Sequence, residues 1–534
     1  MTGHLELWVL GLLAAVAGLV MLSNRLGVPY PVFLVLGGLA LGLIPIVPEI
    51  GLPPDLVLLI FLPPLLYSAA FFSSPRDLRA NLRPIASLSI GLVLLTTLTV
   101  ASVAHLLVGL PWAAAFVLGA IVSPTDPVAA TAIAGRLGAP RRIVTILEGE
   151  SLINDGTALV LYSVAVSAVV TGTFSLPQAA LEFVLYGVGG TAIGLVVGWM
   201  ISRVRHWIGD PLVEITVTLF TPYAAYIPAE ELGVSGVLAT VATGLYLGWR
   251  NPETTAPRNR LQLFGLWDVL PFLLNSVLFI LIGLQLPNIL ESISDEGSVI
   301  SVVLYAALVS LAVIGTRLLW SFPAAYLPRL LSRSMRERNP SPPWQEVAAV
   351  AYTGMRGAIS LAAALAIPLT VQGGASFPGR DEILFLTFCV ILVTLVVQGI
   401  SLPLLIRRLG LAEAEGEEER EETEARLRAA EAALERLDEL ADEGQVREDT
   451  AGRMRELYEY RRRRFAARHS QHAESDEDGD GYEEHSLAYQ RFRRELLGAE
   501  REELLRLRSE GRISDEVRRR VERDLDLEEA QLEI

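Results

Sequence analysis

The chain contains no lysine; all 44 of its basic residues are arginine, which the codon usage of a GC-rich genome explains without invoking function. It has one cysteine, Cys389, which excludes an intrachain disulfide and a cysteine metal site. No His-Glu-x-x-His motif occurs. Charge of either sign is scarce through residues 1–410, which hold 21 basic and 22 acidic residues, net −1. Residues 411–534 hold 23 and 38, net −15, so the acidity belongs to the last part of the chain and argues against nucleic acid as a partner. The first apolar run, Leu5 to Leu22, lacks a basic leader (Glu6 sits there) and a small-x-small cleavage site before Arg25. It reads as a retained span and not as a signal peptide.

What the sequence has in abundance is apolar residues, 51% of 534. A soluble chain this apolar would have too little polar surface to stay dissolved. A membrane helix needs about 20 apolar residues to cross ~30 Å of hydrocarbon. About thirteen stretches qualify, near 5–22, 29–47, 55–72, 84–107, 111–134, 143–170, 179–201, 212–228, 233–248, 264–286, 298–327, 345–370 and 381–406. The pair 212–228 and 233–248 is the shortest, and also reads as one hairpin or a re-entrant piece. Loop charges support this count. Arginines collect in the odd-numbered connections, whereas the even-numbered ones carry only Arg380. The positive-inside rule then places the N-terminus outside and the tail in the cytoplasm.

The expected fold is all-α: a polytopic domain over 1–410 and an acidic helical tail over 411–534. Helical spacing recurs in 412–442, 486–509 and 513–531, and the polar stretch Ser470 to Glu484 reads as a disordered linker. Asp476, Asp478, Asp480 and Gly481 imitate the start of a calcium loop, but its twelfth position would be Leu487, where a bidentate Glu is required. The stretch is read as a solvated acidic linker.

Ionisable groups inside spans are expensive and therefore candidate functional residues. They gather in three places. The fifth stretch contains Ser123-Pro124-Thr125-Asp126-Pro127. Two prolines without backbone donors break the helical ladder, leaving carbonyls and half-helix ends at mid-membrane with Asp126 in the break. A plain proline kink capped by Asp126 is the alternative. The sixth contains Glu150-Ser151-Leu152-Ile153-Asn154-Asp155. Ser151 and Asp155 share one helix face, Glu150 and Asn154 the adjoining one, and Asp155 lies ~20 Å along the helix from Arg142. This oxygen-rich patch suits a hard cation. The twelfth contains Thr353-Gly354-Met355-Arg356-Gly357. Its arginine needs a partner, for which Glu150 is the candidate, and its glycines allow a second break. Asp268, Gln285 and Arg317 read as structural or interfacial.

At these residues the chain resembles the sodium/hydrogen exchanger family of monovalent cation:proton antiporters, over nearly all of 5–406. The segments 123–128, 150–155, 234–239 and 354–359 resemble family motifs, in order and on the expected spans. The resemblance implies about 13 transmembrane helices with an inverted repeat and two broken, crossing helices. It implies a homodimer in the cell membrane, whose core domain moves against a dimerisation domain. Na⁺ and H⁺ would be its substrates, in pH and sodium homeostasis. Asp155, Asp126, Ser151 and the Thr125 backbone would hold the monovalent cation, with Asn154 beside them. Glu150 would pair with Arg356, and no cofactor is expected. Asn154 before Asp155 resembles the electroneutral branch. The chain departs from many relatives at Tyr67-Ser68, where they carry an acid. A potassium/proton antiporter of the same fold and a cation channel are the rival readings; the single mid-membrane cluster argues against the continuous pore of a channel.

Overall fold

The computed structural model describes residues 2–44, 54–254, 257–293, 299–331, 341–412, 415–471 and 479–532. The chain divides into two compact units, Met1–Glu413 and Ala414–Ile534.

Among the described residues of the first unit, the regular structure is all helical, apart from one isolated bridge between Thr370 and Ser376. Its helices are α1 (Thr2–Leu26), α2 (Tyr30–Gly42), α3 (Pro54–Phe72) and, after the short helix Pro75–Ala80, α4 (Leu82–Val108, with π-helical stretches at Ser87–Leu92 and Ala104–Val108). Then follow α5 (Trp112–Val122), α6 (Pro127–Arg136), α7 (Arg141–Thr171) and α8 (Leu176–Arg205). Next come α9 (Pro211–Glu231), α10 (Gly236–Thr254), α11 (Pro257–Ile293) and α12 (Val299–Leu331). The unit ends with α13 (Trp344–Tyr352), α14 (Ala358–Leu365) and α15 (Arg380–Arg408). Among the described residues, eight helices are long and apolar enough to cross a bilayer, and α1 to α3 contain shorter apolar helices.

Proline and glycine set the boundaries. Pro111, Pro140 and Pro343 precede α5, α7 and α13, where a missing N–H leaves no donor unsatisfied. The short pair 212–228 and 233–248 resolves into separate helices, α9 and α10, joined by a turn in which Gly233 takes φ 69°. The run expected to stay helical to residue 370 stops at Leu365.

Small residues bring backbones together. A Cβ on Gly38 would lie 2.1 Å from the Ile280 carbonyl, and one on Gly283 would lie 2.2 Å from that of Val35. Helices α2 and α11 therefore touch backbone to backbone, as membrane helices do when no hydrophobic force separates lipid from protein. The core sits around α5, whose Ala114, Ala115, Val117, Leu118, Ile121 and Val122 are all buried. The span formed by α5 and α6 is 67% buried and α8 only 17%, so α8 presents an apolar face outward.

One loop arginine lies elsewhere than its position suggests. Arg205, at the end of α8, is buried and forms an ion pair with Glu214 at 2.8 Å, while Asn259 donates to the other oxygen of Glu214 at 2.6 Å.

The second unit contains α16 (Glu415–Asp442), α17 (Glu448–Gln471), α18 (Gly479–Ser509) and α19 (Asp515–Leu532). Helix α17 is absent from the sequence expectation, because the run Arg461 to Arg464 hides its sparse apolar positions. Among its described side chains only Ala451 and Phe465 are buried, with the Arg426 guanidinium 5.7 Å from the Phe465 ring. The linker expected near 470–485 is encroached upon from both sides, since α17 runs to Gln471 and α18 begins at Gly479. Asp476 and Asp478 of the calcium-like run lie outside the described residues.

Candidate functional site

Two interruptions meet in the core. Residues 123–126 separate α5 from α6, and residues 353–357 separate α13 from α14. The Asp126 amide donates to the Met355 carbonyl at 2.8 Å, so each break satisfies part of the other's backbone. Asp126 also caps α6, accepting from Val128 N at 2.9 Å. Its carboxylate lies directly over Gly357, where a Cβ would come within 1.9 Å of Oδ2. The N-terminal ends of α6 and α14 thus converge on one carboxylate, the charge their dipoles favour.

The carbonyl ends of the half-helices are held by arginines. Arg356 Nε donates to the Val122 carbonyl, the last of α5, and Nη1 to the Gly354 carbonyl, both at 2.7 Å. Arg317 of α12 donates from Nε and Nη2 to the Val350 carbonyl of α13 at 3.2 and 3.0 Å. Each cation therefore sits where a helix dipole is negative and carbonyls lack donors.

This arrangement corrects the expected pairing of Glu150 with Arg356. Glu150 is gripped by Arg317 in a two-pronged ion pair, Nη1 to Oε1 and Nη2 to Oε2, the second at 2.8 Å. The Arg356 guanidinium instead donates to the carbonyls of Val122 and Gly354. From the sequence Arg317 reads as structural or interfacial; its proximity to Glu150, 167 positions away, depends on how α12 packs.

Behind the break runs a short polar chain. Asn154 Nδ2 donates to Thr125 Oγ1 at 2.8 Å, and Thr125 Oγ1 donates to Glu150 Oε1 at 2.9 Å. Thr125 is thereby tied to α7, which fixes its backbone carbonyl.

In front of the break lies a cavity of about 350 Å³. Thr125 and Asp126 line it from the break, Ser151 and Asp155 from α7, and Ser360 from α14. Its far wall is largely apolar, from α3 and α11, with Ser68, Asp268 and Asn275 as polar exceptions. The α7 phase agrees with the spacing. Glu148, Ser151 and Asp155 face the cavity, and Glu150 and Asn154 face the polar chain. Sequence reasoning missed Asn275, a lone amide in an apolar run.

Asp155 is 3% exposed, and its carboxylate has no ion pair or hydrogen bond among the described residues. Nor do those residues bring three or more His, Cys, Asp or Glu side chains together as a metal cluster. The chemistry on offer is a few oxygens and the buried, unpartnered Asp155 carboxylate on a small cavity, suited to a proton or a hard monovalent cation.

The comparisons with known proteins converge on one family. The profile described as "Sodium/hydrogen exchanger, transmembrane" matches residues 11–408. An uncharacterised Na⁺/H⁺ exchanger of Mycobacterium bovis is 39% identical over 527 residues, 98% of this chain and 95% of that protein. A sodium, potassium, lithium and rubidium/H⁺ antiporter of Bacillus pumilus is 34% identical over 389 residues, 71% of this chain and 58% of that one. Among solved structures, a sodium proton antiporter of Methanocaldococcus jannaschii superposes with a TM-score of 0.59 at 20% identity, covering 77% of this chain and 99% of that one. That likeness establishes the fold, and the profile and the relatives establish the rest: the chain is a multi-pass membrane protein of the sodium/hydrogen exchanger family.

Proposed function

We propose that this chain exchanges Na⁺ for H⁺ across the cell membrane, one for one, with Asp155 carrying each ion in turn. The observation that carries the reading is the Asp155 carboxylate, buried on the cavity with no neutralising partner among the described residues. Out of water such a group favours a bound proton or a bound cation over bare charge. Asp126, Ser151 and the Thr125 carbonyl complete the oxygen set. The Thr125 hydroxyl already donates to Glu150 and accepts from Asn154, so its backbone oxygen is the better ligand.

Exchange follows from exclusion. An empty, charged site would cross the bilayer with an uncompensated carboxylate, at several kcal/mol; about 4 kcal/mol slows that crossing ~10³-fold. Loaded forms cross without that penalty. Asn154, beside Asp155, offers an amide in place of a second titrating group, which favours one charge for one charge. Arg317 and Arg356 hold the half-helix ends so that both breaks move as one rigid unit.

The same reading has the chain cross the membrane thirteen times as a homodimer, N-terminus outside, with 411–534 as a cytoplasmic regulatory tail. The cation range extends to Li⁺ and K⁺, in keeping with the ions named for the Bacillus relative.

The test is competition. In proteoliposomes the apparent Na⁺ affinity should fall as pH drops, by up to ~10-fold per unit where the site is mostly protonated. An affinity that stays flat from about pH 5 to 9 contradicts a shared carboxylate.

A further inference from the structure

The first unit contains a second cavity to which cation exchange assigns nothing. It encloses about 880 Å³ where the ends of α4, α7, α12 and α13 meet. Its charged lining is Arg79, Arg83, Arg142, Arg329 and Glu346, four cations against one carboxylate. That carboxylate is already engaged, since Arg142 Nη1 bonds Glu346 at 3.1 Å and Arg142 Nε donates to Asn81 at 3.3 Å. Arg79 and Arg83 are exposed, and their side chains make no ion pair or hydrogen bond among the described residues. Among the described residues, the charge of Arg79 and Arg83 is therefore balanced by no acidic side chain of the cavity.

Beneath the arginines the floor is apolar, built from Leu88, Ile143, Ile146, Trp320 and Val347. Leu82 and Leu327 line the same cavity and are 55% and 51% exposed, so it opens onto an apolar surface at the helix ends. A guanidinium is a planar fork that matches phosphate oxygens with two parallel donors, and several of them around a concavity select phosphate over smaller anions.

We propose that this cavity binds a phosphate-bearing anion, with the phosphate held between Arg79, Arg83 and Arg142 and its hydrocarbon, in a lipid, on the floor. The seat touches the exchange machinery. Val350 lines the cavity, and its carbonyl holds Arg317 at 3.0 Å, the residue that grips Glu150. A ligand that orders the ends of α12 and α13 stabilises that grip.

The test uses the full-length protein, purified without added lipid and titrated with phosphatidic acid, with phosphatidylcholine, or with inorganic phosphate, reading the thermal unfolding midpoint. Phosphatidic acid should raise the midpoint of the wild type and phosphatidylcholine should not. The Arg79→Gln/Arg83→Gln protein should need about tenfold more phosphatidic acid for the same shift. Arg76→Gln/Arg203→Gln removes the same charge from exposed arginines outside the cavity and should respond like wild type. Stabilisation by inorganic phosphate with the same arginine dependence assigns the site to soluble phosphates; its absence assigns it to lipid. Native mass spectrometry of the wild type, which needs no variant, should retain phosphatidic acid over phosphatidylcholine. Equal retention of the two lipids, no shift with either anion, or equal losses in the two double variants overturns the proposal.

Discussion

Replacing Arg317 with glutamine should be among the most damaging single changes in the membrane unit, and its effect should depend on Glu150. The change breaks a buried two-pronged ion pair and two bonds to the Val350 carbonyl, and leaves Glu150 charged at 1% exposure. Breaking one side of such a pair costs ~3–5 kcal/mol, because the other charge is stranded. For a unit of this size that lowers the melting midpoint by roughly 4–6 °C. Glu150→Gln strands Arg317 in the same way. Combined, the two changes remove both charges, so their joint loss should fall short of the sum by ~2 kcal/mol or more. The control is Arg356→Gln, which removes donors from the Val122 and Gly354 carbonyls and leaves the Arg317–Glu150 pair intact. It should couple to Glu150→Gln more weakly than Arg317→Gln does. The assay is a double-mutant cycle of melting midpoints in one detergent at one scan rate. Coupling of Glu150 to Arg356 as strong as to Arg317 refutes the pairing.

Three further outcomes are expected. Gly357→Ala adds a Cβ 1.9 Å from Asp126 Oδ2, so it should displace that carboxylate and cut Na⁺/H⁺ exchange ~10-fold or more while the melting midpoint shifts little; wild-type rates would show that Asp126 has no fixed seat there. Truncation after Gly410 should leave exchange measurable in proteoliposomes, and a folded truncation inactive at every pH would place the tail in the turnover itself. Exchange rates should ignore a membrane potential set by K⁺ and valinomycin at fixed ion gradients; a strong response would mean unequal charges are moved.

What was legible in the sequence was local. Pro124 and Pro127 remove backbone donors wherever the chain folds, so the break at Asp126 could be read directly, and the glycines around Arg356 announced the second. The four-residue spacing of Ser151 and Asp155 put both on the cavity through helix geometry alone. The partner of Glu150 was not legible, because two buried arginines competed for one acid and only packing decides between them. Arg356 is held by the end of α5, and Arg317 reaches across from α12. Nor was the role of Asn154 legible as a donor to Thr125, since the contact joins two helices across 29 positions. Helix α17 escaped for a different reason. Periodicity needs apolar residues, and a helix whose described side chains bury only Ala451 and Phe465 offers few.

The central claim is that one carboxylate, Asp155, holds either ion, and the most direct measurement is proton release on adding Na⁺ to the purified protein in weakly buffered detergent solution. Wild type should release close to one proton per bound Na⁺ when the site starts protonated. Asp155→Asn keeps the size and an oxygen but cannot titrate, so it should stay folded, release no proton and exchange no ions. Proton release or exchange at wild-type levels from Asp155→Asn would contradict the account.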